Sequence, residues 1–173
     1  MAQSESGRTR ASGVRSSERM MPHYPCLYRA PFGNITLIFD EQQQLIALEL
    51  HGKLEYAPYP LPIEWQQKLD DYFAGRLKNF HHPISTQGSA FQQRVWQAIA
   101  EIPAGTVRTY QEIAQQIGSH PRAVGGACGK NPLALVVPCH RVVAKQGLGG
   151  FSSGEDKALM IKRWLLQHEG VVR

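Results

Sequence analysis

Between Tyr28 and Leu50 apolar and polar positions alternate with a period of two. Ile35, Leu37 and Phe39 share one face of Asn34–Asp40, and Leu45–Leu50 repeats the pattern after a polar turn at Glu41–Gln44, which predicts a β-hairpin. The Pro-rich stretch Pro58–Pro62 ends the sheet. Trp65, Leu69, Tyr72 and Phe73 then recur at helical spacing until Gly75 stops the helix, and this half reads as scaffold. Beyond a polar linker the period changes to that of a helix and stays there. Ser89 caps a helix presenting Phe91, Val95, Trp96 and Ile99 on one face, and Pro103-Ala104-Gly105 breaks it.

Two short helices follow, Tyr110 to Ile117, ended by Gly118, and Pro121 to roughly Lys130. Joined by a tight turn, they predict a helix-turn-helix with the second helix in the reading position. That helix runs Arg122-Ala123-Val124-Gly125-Gly126-Ala127, and small residues let a backbone approach another surface closely. The composition suits a groove better than a core. A last helix, about Glu155 to His168, opens on the acidic pair Glu155-Asp156 and is expected to bury Leu159, Trp164 and Leu165.

Composition adds a charge gradient to this plan. The 173 residues suffice for one domain of ordinary size or two small ones, at a soluble protein's apolar fraction of 42%. No apolar run approaches the roughly 20 residues of a membrane span, and no secretory signal is recognisable, so the reading is cytoplasmic, without membrane association. Residues 1–21 hold four Arg and two Glu with no aromatic residue, and are read as a disordered tail. An upstream extension preceding a start at Met20 or Met21 explains them better than a transit peptide. Net charge is +2 in residues 1–21, −2 in 22–86 and +5 in 87–173, so the positive field belongs to the C-terminal part and points to a polyanion.

The chemistry converges on Pro138-Cys139-His140-Arg141-Val142, where the apolar run Leu133–Val137 delivers a cysteine beside a histidine. A Cys-His dipeptide alone does not separate a nucleophile from an inert core thiol. Cys26, Cys128 and Cys139 are an odd number at irregular spacing, which fits free thiols in a reducing compartment. Metal ligation is not expected at His81 and His82, nor at Cys26 with His23.

From Ser89 to Gly170 the chain resembles the methylated-DNA-protein-cysteine methyltransferases, the alkyltransferases that repair 6-O-alkylguanine in DNA. The carriers are Phe91 with Val95-Trp96, Thr109-Tyr110, Arg122–Gly126, Asn131-Pro132, Val137–Val142 and Trp164-Leu165-Leu166 before His168-Glu169-Gly170. The resemblance implies an α+β protein: a small N-terminal α/β, ribonuclease-H-like domain with its linker (22–86), then a mainly helical, winged helix-turn-helix-like DNA-binding domain (87–173). It implies Cys139 as alkyl acceptor, His140 as its base through a water, Glu169 as orienter of the imidazole, and Asn131 as brace of the cysteine turn. Tyr110 would support the extruded nucleotide and assist protonation of the leaving guanine, and Arg122 would fill the gap in the duplex. Gln111, Ser119, Arg141, Val142, Lys145, Phe151 and Ser152 complete the expected DNA and base contacts. Phe151-Ser152-Ser153-Gly154 stands where relatives commonly have Tyr before Ser-Gly-Gly, and Ala134 where many have proline.

The implied partner is double-stranded DNA containing alkylated guanine, bound by a monomer without cofactor or metal; 4-O-alkylthymine is a further expected substrate. On an extended segment neighbouring side chains face opposite ways, which sets His140 apart from the Cys139 sulfur and motivates the water. Alkylation of Cys139 yields a thioether with no hydrolytic return, so each molecule is expected to act once. Two alternatives remain at this point: a lesion-binding protein that shields alkylated guanine without repairing it, and a cysteine hydrolase with repeated turnover.

Overall fold

The structure, a computed structural model, describes residues 22–149 and 156–171. The tail 1–21, Phe151 and Ser152 lie outside the described residues. The expected hairpin is part of a three-stranded antiparallel sheet, ordered β1 (Tyr24–Ala30), β2 (Gly33–Phe39) and β3 (Leu45–Glu49). Cys26 and Tyr28 of β1 point inward with Ile35, Leu37 and Phe39 of β2. Helix α1 (Ile63–Phe73) covers this face with Trp65, Leu69 and Tyr72.

Helix α2 (Ala90–Ala100) starts with a reciprocal capping box between Ser89 and Gln92. Helix α3 (Tyr110–Ile117) starts with a second, between Thr109 and Glu112, and ends on Gly118 in the left-handed conformation, φ 71°. Helix α4 (Pro121–Gly129) has proline at its first turn, where a missing N–H costs nothing. The Trp96 indole donates to the Ala127 carbonyl at 2.9 Å and ties α2 beneath α4. Helix α5 (Asp156–His168) buries Ala158, Ile161, Lys162, Leu165 and Leu166, whereas Leu159 and Trp164 are only half-buried.

The mainly helical C-terminal part also holds a short strand pair: β4 (Arg108–Thr109) and β5 (Val142–Val143) pair in parallel, Arg108 with Val142 and Thr109 with Val143. One further expectation is corrected. Cys139–Arg141 is a 3-10 turn and not an extended segment, with Arg141 N–H donating to the Pro138 carbonyl at 2.9 Å. A proline ahead of a tight buried turn ends the apolar run that alternation alone would have continued. The short parallel pair sets Tyr110, the first residue of α3, beside the strand leaving the cysteine turn.

The division at residue 86 separates sequence but not core. One apolar cluster joins the sheet and α1 to Leu133, Leu135, Val136, Ile161 and Leu165 from the C-terminal part. The loop before Cys139 also hydrogen-bonds the sheet edge: Leu48 N–H donates to the Pro132 carbonyl at 2.8 Å, and Ala134 N–H to the Leu48 carbonyl at 3.3 Å. Leu135 adopts φ 68°, a conformation costing an L-residue about 1 kcal/mol or more. Its side chain, buried in the shared cluster, holds it there.

Candidate active site

Asn131 organises the cysteine turn from below. Its side-chain Nδ2 donates to the Val137 carbonyl at 2.9 Å and faces the Cys139 sulfur at 3.3 Å, and its Oδ1 accepts from Leu133 N–H at 3.0 Å. Each such bond contributes about 1 kcal/mol, and together they fix where the sulfur sits. Cys139 itself is 6% exposed. The neighbouring Cys128 thiol and burial push its thiol well above the ordinary range; the Asn131 amide and Lys162 ammonium pull the other way. At rest the group is a protonated thiol that needs a base.

His140 is buried next to it in sequence but does not hydrogen-bond it. Its Nε2 lies 3.0 Å from both carboxylate oxygens of Glu169, with the two side chains 1% and 2% exposed. Arg141 clamps the same carboxylate from Nε at 2.8 Å and from a terminal nitrogen at 2.9 Å, and its other terminal nitrogen donates to the Ile102 carbonyl at 2.7 Å. The Tyr72 hydroxyl of α1 adds a bond at 2.8 Å. Burial alone would raise the Glu169 pKa, but the bonds from Arg141 and His140 outweigh it and hold the carboxyl well below the usual range. Burial also lowers the His140 pKa, against the pull of Glu169, so the imidazole is neutral near pH 7.

Arg141 is therefore a correction: it was expected to contact DNA, but its guanidinium is consumed inside the protein, because a buried carboxylate needs a charge-matched fork. Val142 is buried, with its carbonyl accepting from the Lys162 ammonium at 2.7 Å. That ammonium also lies 3.4 Å from the Tyr110 hydroxyl. Burial lowers the Lys162 pKa to about 8, opposed by the Cys128 and Cys139 sulfurs. Tyr110 is half-buried, its phenol pushed up by burial and by the same sulfurs. Gly149, φ 75°, approaches the Tyr110 ring so closely that an added Cβ would stand 2.8 Å from it.

Gln111 and Arg122 are exposed on α3 and α4, Ser119 is half-buried between those helices, and Lys145 is exposed beyond β5. A Cβ built on Gly125, Gly126 or Gly129 meets nothing within 4 Å, so no internal packing requires glycine there. A cavity of about 580 Å³ opens between β2–β3 and the 131–137 loop; Asn131, Ala134, Cys139 and His140 line one side, Thr36 and Leu48 the other. Among the described residues, no helix is long and apolar enough to cross a membrane.

Sequence reasoning missed Tyr72 and Lys162. Tyr72 was indistinguishable from a core aromatic at helical spacing. Lys162 left a trace: it falls between Leu159 and Leu166 on the apolar face of α5, where an uncompensated ammonium would be costly.

Residues 90–171 match the family described as 6-O-methylguanine DNA methyltransferase, DNA binding domain, and residues 24–86 its ribonuclease-like domain. A methylated-DNA–protein-cysteine methyltransferase of Metallosphaera sedula is 40% identical over 146 residues, 83% of this chain and 90% of the relative. One from Methanosarcina acetivorans is 39% identical over 160 residues, 85% and 98%. The crystal structure of Mycobacterium tuberculosis O6-methylguanine methyltransferase superposes with a TM-score of 0.73 at 37% identity, covering 86% of this chain and 93% of that one. The Mycobacterium tuberculosis OGT solved in complex with DNA gives 0.70 at 39%, covering 83% and 90%. The chain belongs to the methylated-DNA–protein-cysteine methyltransferase family.

Proposed function

We propose that this protein repairs DNA directly, moving the alkyl group of 6-O-alkylguanine to its own Cys139 once per molecule. The observation that carries the residue assignment is the buried chain Cys139–Asn131 and His140–Glu169, a positioned thiol beside a neutral imidazole whose far nitrogen is held by a carboxylate. With Nε2–H donated to Glu169, the remaining ring nitrogen is the basic one. It takes the thiol proton through one bridging water. The sulfur then bonds to the alkyl carbon as the carbon–oxygen bond to guanine breaks, and the departing base takes a proton from the Tyr110 side. The Lys162 ammonium, 3.4 Å from the Tyr110 oxygen, stabilises the negative charge that the phenol gains as it gives up its proton.

A base must leave the duplex to be reached, at a cost of a few kcal/mol that is smaller for a damaged pair. The exposed α4, with Arg122 at its start and unfilled glycine positions along it, is the surface offered to the DNA. Thymine alkylated at its 4-oxygen presents the same alkyl-oxygen bond and belongs to the same substrate class. The protein acts as a monomer, since reader and nucleophile sit in one chain. A lesion-shielding role is disfavoured by the complete thiol relay.

Intact mass after incubation with a duplex oligonucleotide carrying 6-O-methylguanine tests this reading. One methyl group per protein, mapped to Cys139 and absent from Cys139→Ser, is the expected result. A methyl group on Cys26 or Cys128, or repeated turnover, would sink it.

A further inference from the structure

The nucleophile has a neighbour that alkyl transfer does not use. Cys128, near the end of α4, is half-buried and packs against the apolar cluster that contains Cys139. Both cysteines line the cavity between β2–β3 and the 131–137 loop, which gives a small solute a route to them. Asn131 joins the two segments: its backbone N–H donates to the Cys128 carbonyl at 3.2 Å, and its side-chain Nδ2 faces the Cys139 sulfur at 3.3 Å. The Cys128 thiol leads the groups that raise the Cys139 pKa, in keeping with two side chains set on either side of Asn131. Cys26 lies apart in the other core cluster, its thiol directed at the Pro60 carbonyl at 3.5 Å.

We propose that Cys128 and Cys139 form a reversible oxidation site, converted to a disulfide by a small hydroperoxide and returned to two thiols by a dithiol reductant. In the first step the Cys128 sulfur, the more exposed of the two, attacks hydrogen peroxide. A sulfur–oxygen bond forms, the oxygen–oxygen bond breaks, and the second oxygen leaves as water. The Cys139 sulfur then attacks the sulfenic sulfur; the sulfur–sulfur bond forms, the sulfur–oxygen bond breaks, and hydroxide leaves with the Cys139 proton as water. Two electrons pass from the thiols to the peroxide. A dithiol reductant supplies two electrons in return and becomes a disulfide itself.

The consequence follows from the oxidation ladder of cysteine. A sulfenic acid that meets a second thiol stops at a recoverable disulfide, whereas one without a partner proceeds to sulfinic and sulfonic acids that simple thiols do not reverse. A protein whose nucleophile is spent on a single lesion would thus keep it from being spent on peroxide. The disulfide and the alkylated state exclude each other, because both need the same sulfur.

The test goes beyond the alkyl-transfer reading, and its first readout does not depend on it. Reduced full-length protein is treated with hydrogen peroxide, blocked with iodoacetamide, and analysed by intact mass and a non-reducing tryptic map. Trypsin cuts after Arg122, Lys130 and Arg141, so the two cysteines fall on separate peptides, 123–130 and 131–141. The expected result is a loss of two hydrogens and a linked peptide pair that dithiothreitol separates, absent from protein already methylated on Cys139. Cys128→Ser and Cys128→Ala should instead gain oxygen on Cys139, and dithiothreitol should fail to restore their methyl acceptance, each compared with its own unoxidised sample. Linkage through Cys26, peroxide reaction without linkage, no reaction at either thiol, or recovery in Cys128→Ser equal to wild type overturns the proposal. Failure of untreated protein to accept methyl would overturn the alkyl-transfer reading instead, and the peptide map would still judge the disulfide.

Discussion

The carboxylate centre at Glu169 and the outer face of α4 treat polar groups in opposite ways. At Glu169 folding completes everything: Arg141, His140 and Tyr72 all bond one buried carboxylate, and the charges are matched inside the chain. On α4 folding leaves the surface unfinished: Arg122 is exposed, and Gly125 and Gly126 face open space at a helix-propensity cost of about 1 kcal/mol each. The first region holds an imidazole and a turn in place whether or not DNA is present. On the proposed function the second has its missing contacts supplied by DNA, so changes there should affect binding while sparing the fold.

Glu169→Gln should break the first region most severely. It leaves the Arg141 guanidinium buried without a counter-charge, an expected loss of about 3 kcal/mol. At about 2–4 °C per kcal/mol, thermal melting should fall by roughly 10 °C. Methyl transfer should slow on duplex DNA and on the free 6-O-alkylguanine base alike, because the relay is damaged for both. A variant with normal melting and normal rates would show that the carboxylate is dispensable. Arg122→Ala should separate the regions: transfer from duplex DNA falls about fivefold or more, from the loss of about 1–3 kcal/mol of DNA contact, while reaction with the free base and the melting temperature hold. An equal loss on both substrates would place Arg122 in the chemistry instead.

Acid should weaken only the internal region. His140 has a folded pKa below its ordinary value and Glu169 one below the carboxylate range, so in both cases the unfolded chain binds the extra proton first. Stability is therefore fully present at neutral pH and falls as the pH drops below about 6.5, then further below about 4.3 toward the folded carboxylate value. Denaturant midpoints from about pH 7 to about pH 3 should show both limbs in wild type, with the lower limb flattened in Glu169→Gln. The smallest effect belongs to Gly126→Ala. Open space and a helical backbone predict a stabilisation of about 0.5–1 kcal/mol, together with weaker DNA-dependent transfer. A destabilised variant would mean that the glycine serves internal packing after all.

Much of this was legible because local rules and global fold agree. Ser89 and Thr109 cap the helices that their sequence spacing announces, and Gly118 ends α3 where a left-handed residue is needed. Ile35, Leu37 and Phe39 face the core as their alternation requires. Reading failed where side chains distant in sequence meet. Arg141 carries a charge beside the Cys-His motif, which on sequence reads as a DNA contact; only the approach of α5 converts it into the internal partner of Glu169. Tyr72 lies 97 residues from the carboxylate it bonds, and no periodicity encodes that meeting.

The sequence by itself determined the elements, the position of the thiol and the two-helix reader, since each depends on neighbours within a turn or on a motif of a few residues. Tertiary structure alone decided the protonation chemistry, because pKa values follow burial and charge partners assembled across the chain. It put the imidazole in a dry site against a clamped carboxylate, aimed Lys162 at Tyr110, and brought a second cysteine to the first. The pentapeptide names a cysteine and a histidine; packing makes one a protonated thiol and the other a neutral imidazole held by a carboxylate.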